Sequence, residues 1–148
     1  MAFLVVYGWK NGKPGHVGVV LNDITGEVEQ RALSMVGEGK YKLGTGGYKE
    51  GMPDTPFNKL GQSDCSGFAL WCFKIDRRNR GKGPAWWNTS SIIKDALTDR
   101  ILFHPLDKPA RFADCTVVHC RSGRPAVVAT TGALWDKKLS YAVTPILL

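Results

Sequence analysis

The chain has 148 residues, of which 43% are hydrophobic and 22% charged, as in an ordinary folded domain with a core of its own. No apolar run is long enough to span a bilayer, and the apolar start lacks the basic segment of a signal peptide, so we expect synthesis in the cytoplasm. The formal net charge of +7 favours a polyanionic partner, such as nucleic acid, anionic lipid or bacterial wall polymer.

The first half of the chain predicts a β-hairpin, a helix and a long loop. Apolar residues predict strands at 3–7 and 16–21, joined by a turn at 12–15 that contains Gly and Pro. Apolar residues recur at helical spacing over 27–36. Residues 39–62 are rich in Gly and Pro and show little periodicity. Ordered loops of this length are usually functional in compact domains, so we expect a functional role for this one.

The second half predicts two helices and three strands around a basic loop. The helices are expected at 64–75 and 88–99, and the basic loop at 76–84 separates them. The basic cluster is either a polyanion-binding surface or only a solvated one, and it comprises Lys74, Arg77, Arg78, Arg80 and Lys82. The strands are expected at 115–120, 126–130 and 141–144. With no linker or repeat, the sequence predicts a single α+β domain over residues 1–148.

Cys65 is the first candidate for chemistry. It follows Asp64, a helix-capping residue type, and begins an apolar helical run. A thiol at a helix N-terminus faces unpaired backbone N–H groups and the positive end of the helix dipole, which favour the thiolate. We therefore expect a lowered pKa for Cys65 and a nucleophilic role. The alternative is a buried core cysteine, which is common for this residue type.

The other cysteines, Cys72, Cys115 and Cys120, predict neither a disulfide framework nor a structural metal site. A domain of this size with an adequate core and no secretion signal does not need disulfides. Cys115 and Cys120 lie five residues apart on one predicted strand, so their side chains point to opposite faces. The chain contains no pair of cysteines at the spacing typical of structural zinc sites.

A nucleophilic cysteine needs a base, and the chain offers three histidines. His16 begins a predicted strand, and Gly18 on the same face leaves space for a backbone segment or a substrate. His119 lies on a later strand, and if the two strands are neighbours the two rings lie side by side above the start of the Cys65 helix. His104 lies in a predicted loop and is expected to be structural or exposed. The alternative for His16 and His119 is that each is a packed polar residue with no catalytic role.

Several of these segments resemble one protein family. Asp64-Cys65-Ser66-Gly67-Phe68 resembles the catalytic signature of the NlpC/P60 cysteine peptidases, and Gly15-His16-Val17-Gly18-Val19-Val20 resembles their histidine strand. Weaker similarities lie at residues 40–47, 88–96 and 117–120. Here the hairpin that carries His16 precedes Cys65, whereas in the usual order of the family the histidine hairpin follows the cysteine. The resemblance therefore implies a papain-like fold with a rearranged strand order, in which an antiparallel sheet packs against the helix of Cys65.

The resemblance implies hydrolysis of an amide in the peptide part of bacterial peptidoglycan. Cys65 would attack the carbonyl, His16 would act as the general base and acid, and His119 would orient His16. No metal or cofactor is implied. The expected partners are stem peptides and anionic wall polymer, with neither nucleic acid nor membrane insertion. An enzyme of this kind would act at the wall after release or delivery, as in phage lysis.

The resemblance also implies roles for the surroundings of the thiol. The backbone N–H of Cys65 and the side chain of Tyr41 would stabilise the oxyanion, and Asp64 and Ser66 would hold the stem peptide. Three alternatives stay open: a related thiol acyltransferase acting on lipid, a catalytically inactive wall-binding module, and zinc bound by Cys65 with His16 and His119. The relocated hairpin also allows a strand-swapped dimer.

Overall fold

A computed structural model describes residues 1–7, 15–22, 24–137 and 139–146, which form a mixed α+β fold with a six-stranded sheet and four α-helices. None of the helices within these ranges has the length and apolar character needed to cross a bilayer. The strands are β1 (Phe3–Tyr7), β2 (His16–Val20), β3 (Lys40–Tyr41), β4 (Gln62–Ser63), β5 (Phe103–Leu106), β6 (Thr116–Cys120), β7 (Val127–Thr131) and β8 (Tyr141–Pro145). The helices are α1 (Glu27–Ser34), α2 (Cys65–Cys72), α3 (Thr89–Leu97) and α4 (Gly132–Asp136), with a 3-10 turn at Phe112–Asp114.

The β1–β2 hairpin occupies the centre of the sheet. The strand order is β5-β8-β1-β2-β6-β7, and every neighbouring pair is antiparallel. Leu4 lies opposite Val19, and Val19 in turn lies opposite Val118. These valine- and leucine-rich strands are buried on both faces, as a central position requires. The separate pair β3–β4 is parallel and brings Tyr41 beside Ser63.

The two faces of the sheet pack against different elements. Val17, Val19 and Val118 belong to the larger core, which the sheet shares with α2 and α3. On the opposite face, Val20 and Val117 pack against Trp135 of α4 and Phe112 of the 3-10 turn. Because side chains alternate along a strand, this arrangement puts consecutive residues of β2 on opposite sides of the sheet.

The predicted strands and helices are largely confirmed, with shorter ends and some omissions. The helices predicted at 27–36 and 64–75 end at Ser34 and Cys72. The second helix stops early because Lys74 adopts a left-handed conformation, with φ 56°. Residues 103–105, predicted as a loop, instead belong to the strand Phe103–Leu106, which lies at the edge of the sheet, where Pro105 is tolerated. The short strands β3 and β4 and the five-residue helix α4, which begins at a glycine, were also missed. The turn predicted at 12–15 lies mostly outside the described residues.

Candidate active site

Cys65 is the first residue of α2, and its position is set by the cap of that helix. The carboxylate of Asp64 accepts a hydrogen bond from the backbone N–H of Gly67 at 2.8 Å. The apolar sequence that follows buries all of α2 between the sheet and the loops. The Sγ atom of Cys65 lies 3.3 Å from Oγ1 of Thr89, the first residue of α3. The thiol therefore lies between the N-termini of two helices.

The expected lowering of the Cys65 pKa is wrong. Burial raises the pKa of the Cys65 thiol, and the hydrogen bonds from Thr89 and the backbone N–H of Val17 offset this only in part. Only 4% of Cys65 is exposed, so loss of hydration outweighs the favourable position at the helix N-terminus. The resting side chain is therefore a neutral thiol, which needs a base to become a nucleophile.

His16 and His119 lie side by side, as the sequence predicts for neighbouring strands. Strands β2 and β6 pair directly, and the two rings meet edge to face with centroids 4.9 Å apart. Nε2 of His16 lies 2.7 Å from Nδ1 of His119. Val17, the next residue of β2, contributes the backbone N–H that stabilises the Cys65 thiolate. Val17 and Cys65 belong to the larger core, whereas the rings of His16 and His119 both contact Trp135, which belongs to the core on the opposite face of the sheet.

His119 is neutral, and its surroundings select one tautomer. Burial, followed by the charge of Arg121, lowers the pKa of His119 to about 4. Its Nε2 lies 3.3 Å from Oγ1 of Thr130, whose hydroxyl lies 3.4 Å from the carbonyl oxygen of Val117. If Thr130 donates to that carbonyl, it accepts from Nε2–H of His119. Nδ1 of His119 is then the acceptor for Nε2–H of His16.

The space beside Gly18 is filled by Trp135 and does not receive a backbone segment or a substrate. The indole of Trp135 stacks on the ring of His16, with centroids 5.2 Å apart and planes inclined by 10°. A Cβ atom at residue 18 would lie 2.8 Å from Trp135 and 2.6 Å from Val117. Glycine is therefore required for the indole to reach His16 and restrict its orientation.

Asp64 and Ser66 are joined to Arg77 in a buried polar network. Arg77 donates to both carboxylate oxygens of Asp64, at 2.8 and 3.1 Å, and to the hydroxyl of Ser66 at 2.9 Å. It also donates to the carbonyl oxygens of Thr45 at 3.0 Å and Trp87 at 3.2 Å. This network explains the cap geometry, because the guanidinium and the helix N-terminus share one carboxylate.

The basic cluster is therefore not a uniform solvated surface, contrary to one reading of the sequence. Arg77 is only 2% exposed and belongs to the interior network. Lys74 lies 2.5 Å from the carboxylate of Glu27. Lys74 is exposed, as are the remaining members Arg78, Arg80 and Lys82.

A pocket of about 420 Å³ opens beside the thiol. Its walls include Cys65, Tyr41 and the first residues of α3, and Asp64 and Ser66 also line it. Burial and the nearby Cys65 and Asp64 raise the pKa of Tyr41 to about 12. The phenol therefore keeps its proton and remains a hydrogen-bond donor beside the pocket.

The remaining histidine and cysteines have structural surroundings. His104 is half-buried on β5, opposite Thr144 of β8. Burial raises the pKa of Cys72, and it raises that of Cys120 to about 12. All four cysteines are free, and Cys115 and Cys120 belong to opposite faces of the sheet. Among the described residues, no three His, Cys, Asp or Glu side chains form a group suited to a metal ion.

Three residues of the site were not identified from the sequence: Thr89, Thr130 and Trp135. The only signal for Thr89 is its place after Asn88, whose side chain caps α3 by accepting from the N–H of Ser91. Thr130 lies on the predicted strand next to that of His119, where pairing made it a candidate neighbour. The environment of Trp135 depends on tertiary packing alone, because α4 is too short to be predicted.

Comparison with protein-family models, with curated proteins and with solved structures gives no match to this chain. The resemblance to the NlpC/P60 peptidases therefore rests on the sequence motifs. The structural support for a function lies in the contact between His16 and His119 and in the position of Cys65 at the start of α2.

Proposed function

We propose that this protein is a cysteine hydrolase that cleaves an amide bond, with Cys65 as the nucleophile. The observation that carries the proposal is the 2.7 Å distance between Nε2 of His16 and Nδ1 of His119, on two paired strands that pack against the helix of Cys65. A nucleophile, a base and a group that orients the base are the three parts that such a reaction requires.

Because Nε2 of His16 contacts His119, we assign the exchange of a proton with Cys65 to Nδ1. In the first half of the reaction, Nδ1 takes the thiol proton as Sγ attacks the carbonyl carbon. His16 then gives that proton to the leaving amine, and a thioester remains on Cys65. In the second half, His16 takes a proton from water as the resulting hydroxide attacks the thioester carbonyl. The C–S bond breaks, the carboxylic acid leaves, and His16 returns the proton to the thiolate of Cys65.

Two groups support charge stabilisation on the oxygen of the tetrahedral intermediate. The backbone N–H of Cys65 is one of the first N–H groups of α2, which have no partner within the helix. The Tyr41 hydroxyl supplies a second donor from the pocket wall. Donors held in position before the reaction stabilise such an oxyanion more than water does.

We propose peptidoglycan stem peptides as the substrate and a papain-like fold of NlpC/P60 type as the architecture. The support is the set of resembling motifs, the antiparallel sheet packed against the helix of Cys65, and the net charge of +7. The relocated hairpin takes the central place in this sheet, so His16 comes from a different point in the chain than in the usual order of the family. Asp64 and Ser66 border the pocket and are proposed to contact the stem peptide.

The test is digestion of purified bacterial walls, followed by mass spectrometry of the released fragments. Wild-type protein should release peptides with one new amine and one new carboxyl group, and digestion in ¹⁸O water should label the carboxyl. Cys65→Ala should release none while keeping its fold, and Cys72→Ala, which changes a buried thiol outside the site, should lose only stability. Transfer of an acyl group to lipid without water incorporation would favour the acyltransferase. Wall binding without any cleavage would favour the inactive module.

A further inference from the structure

A second groove, of about 520 Å³, lies directly beside the pocket of Cys65. The two cavities have Trp86 and Arg77 as shared wall residues. Trp86 is 41% exposed, and the guanidinium of Arg77 lies 4.9 Å from the centroid of its indole ring. A ligand that extends out of the first pocket across Trp86 therefore enters the second groove.

The lining of this groove combines aromatic surface with positive charge. Its aromatic residues are Tyr48, Phe57 and Trp86. Lys49, Lys59 and Arg78 supply three exposed cations, against the single carboxylate of Asp76, which accepts the backbone N–H of Arg78 at 2.9 Å. The charge of Arg77 is already neutralised by Asp64. The groove therefore complements a ligand with apolar portions and a carboxylate.

The wall of the groove is held in place by contacts outside it. Asp54 accepts hydrogen bonds from two nitrogens of Arg31, at 2.8 and 2.9 Å, and from Nε1 of Trp71 at 2.9 Å. The N–H of Gly47, which lines the groove, donates to the carbonyl of Pro56 at 2.9 Å and so joins two parts of the loop at 39–62. A wall held in this way loses little conformational entropy when a ligand binds.

We propose that this groove binds the part of the substrate chain that continues beyond the cleaved amide, and that its lysines recognise a carboxylate on that part. This inference rests on the proposed function of the Cys65 pocket. The occupant is thus an acidic peptide segment of the same substrate molecule. Lys49 and Lys59 are specificity-determining residues and take no part in bond cleavage.

The test uses two synthetic stem pentapeptides that differ only in ending with a carboxylate or a carboxamide. Binding to Cys65→Ala, measured by calorimetry, should be roughly fivefold tighter for the carboxylate because two exposed charge pairs are gained. Lys49→Gln together with Lys59→Gln in the same background should abolish the preference. Lys94→Gln with Lys137→Gln, an equal change of charge at exposed sites outside both cavities, should retain it.

Equal affinity for the two peptides, absence of binding, or a preference that survives the Lys49 and Lys59 substitutions would overturn the inference. Measuring cleavage of the same peptides by the wild-type protein distinguishes a failure of this inference from a failure of the proposed function. If the peptides are cleaved but bind without preference, the hydrolase stands and the groove assignment fails. If the preference is present and neither the peptides nor purified walls are cleaved, the groove assignment stands and the hydrolase fails.

Discussion

Nε2 of His16 lies 2.7 Å from Nδ1 of His119, and the opposite nitrogen of His119 lies 3.3 Å from the hydroxyl of Thr130. When Thr130 donates to the carbonyl of Val117, its oxygen accepts from Nε2–H of His119, and Nδ1 of His119 is left to accept from His16. His119 accepts a hydrogen bond and stays neutral, so it orients His16 without adding a second positive charge.

This relationship predicts a non-additive pattern of substitutions. His16→Ala should lower kcat/KM on the order of a thousandfold, because the base that activates a buried neutral thiol is lost. His119→Ala should cost less, and His119→Asn or His119→Gln should recover part of the loss because a side-chain oxygen also accepts the hydrogen bond. The double alanine variant should be no slower than His16→Ala alone. Additive losses in steady-state kinetics would show that the two residues act independently.

His119 also predicts a pH-dependent stability. Its pKa falls from 6.5 to about 4 on folding, so between these values the unfolded chain binds a proton that the folded chain does not. The free energy of unfolding should therefore decrease as the pH falls through this window, by about 3 kcal/mol from this group. Urea denaturation of wild type and His119→Gln at pH 7 and pH 4 measures it. The variant should lose less stability than the wild type between the two pH values, and an equal loss would contradict the assignment.

The sequence predicts the central hairpin and the helix of Cys65 because both depend on local patterns. Strand residues 3–7 and 16–20 are almost continuously apolar, and Asp64 caps α2 as its residue type favours. Neighbouring strands then bring His16 and His119 together, since both residues lie on the same face of the sheet.

Burial and long-range packing explain what the sequence does not predict. The helix position alone favours a Cys65 thiolate, but the pKa is raised because Cys65 is almost fully enclosed. Arg77 lies in a run of basic residues that is typical of a solvated loop. It is buried because it pairs with Asp64, which lies 13 residues earlier in the chain. The space beside Gly18 is filled by Trp135, which lies more than 100 residues later.

The buried pair of Asp64 and Arg77 predicts a large effect on stability from one member of the basic cluster. Arg77→Met should lower the free energy of unfolding by about 3–5 kcal/mol, because it leaves a buried carboxylate without its partner. Arg80→Met removes an exposed charge from the same loop and should change it by less than about 0.5 kcal/mol. Similar denaturation midpoints for the two variants would contradict the structural role of Arg77.

The exposed part of the basic cluster predicts electrostatic attraction to anionic wall polymer. Arg80→Glu with Lys82→Glu should weaken binding to purified walls and flatten its dependence on salt, since screened attraction is lost. Turnover of a short soluble peptide should not change. Co-sedimentation at low and high salt measures the effect, with a Lys94→Glu and Lys137→Glu variant as the matched control. If both variants bind walls equally, the cluster is only a solvated surface.

The central claim is that Cys65 forms a covalent bond with the carbonyl carbon of the substrate. Acid quenching during turnover of an activated ester of a stem peptide, followed by mass spectrometry of the protein, tests it most directly. We predict one acyl group per chain, located on the peptide that contains Cys65, with Cys72, Cys115 and Cys120 unmodified. Cleavage of peptidoglycan without an adduct on Cys65, or with the acyl group on another residue, would contradict the account.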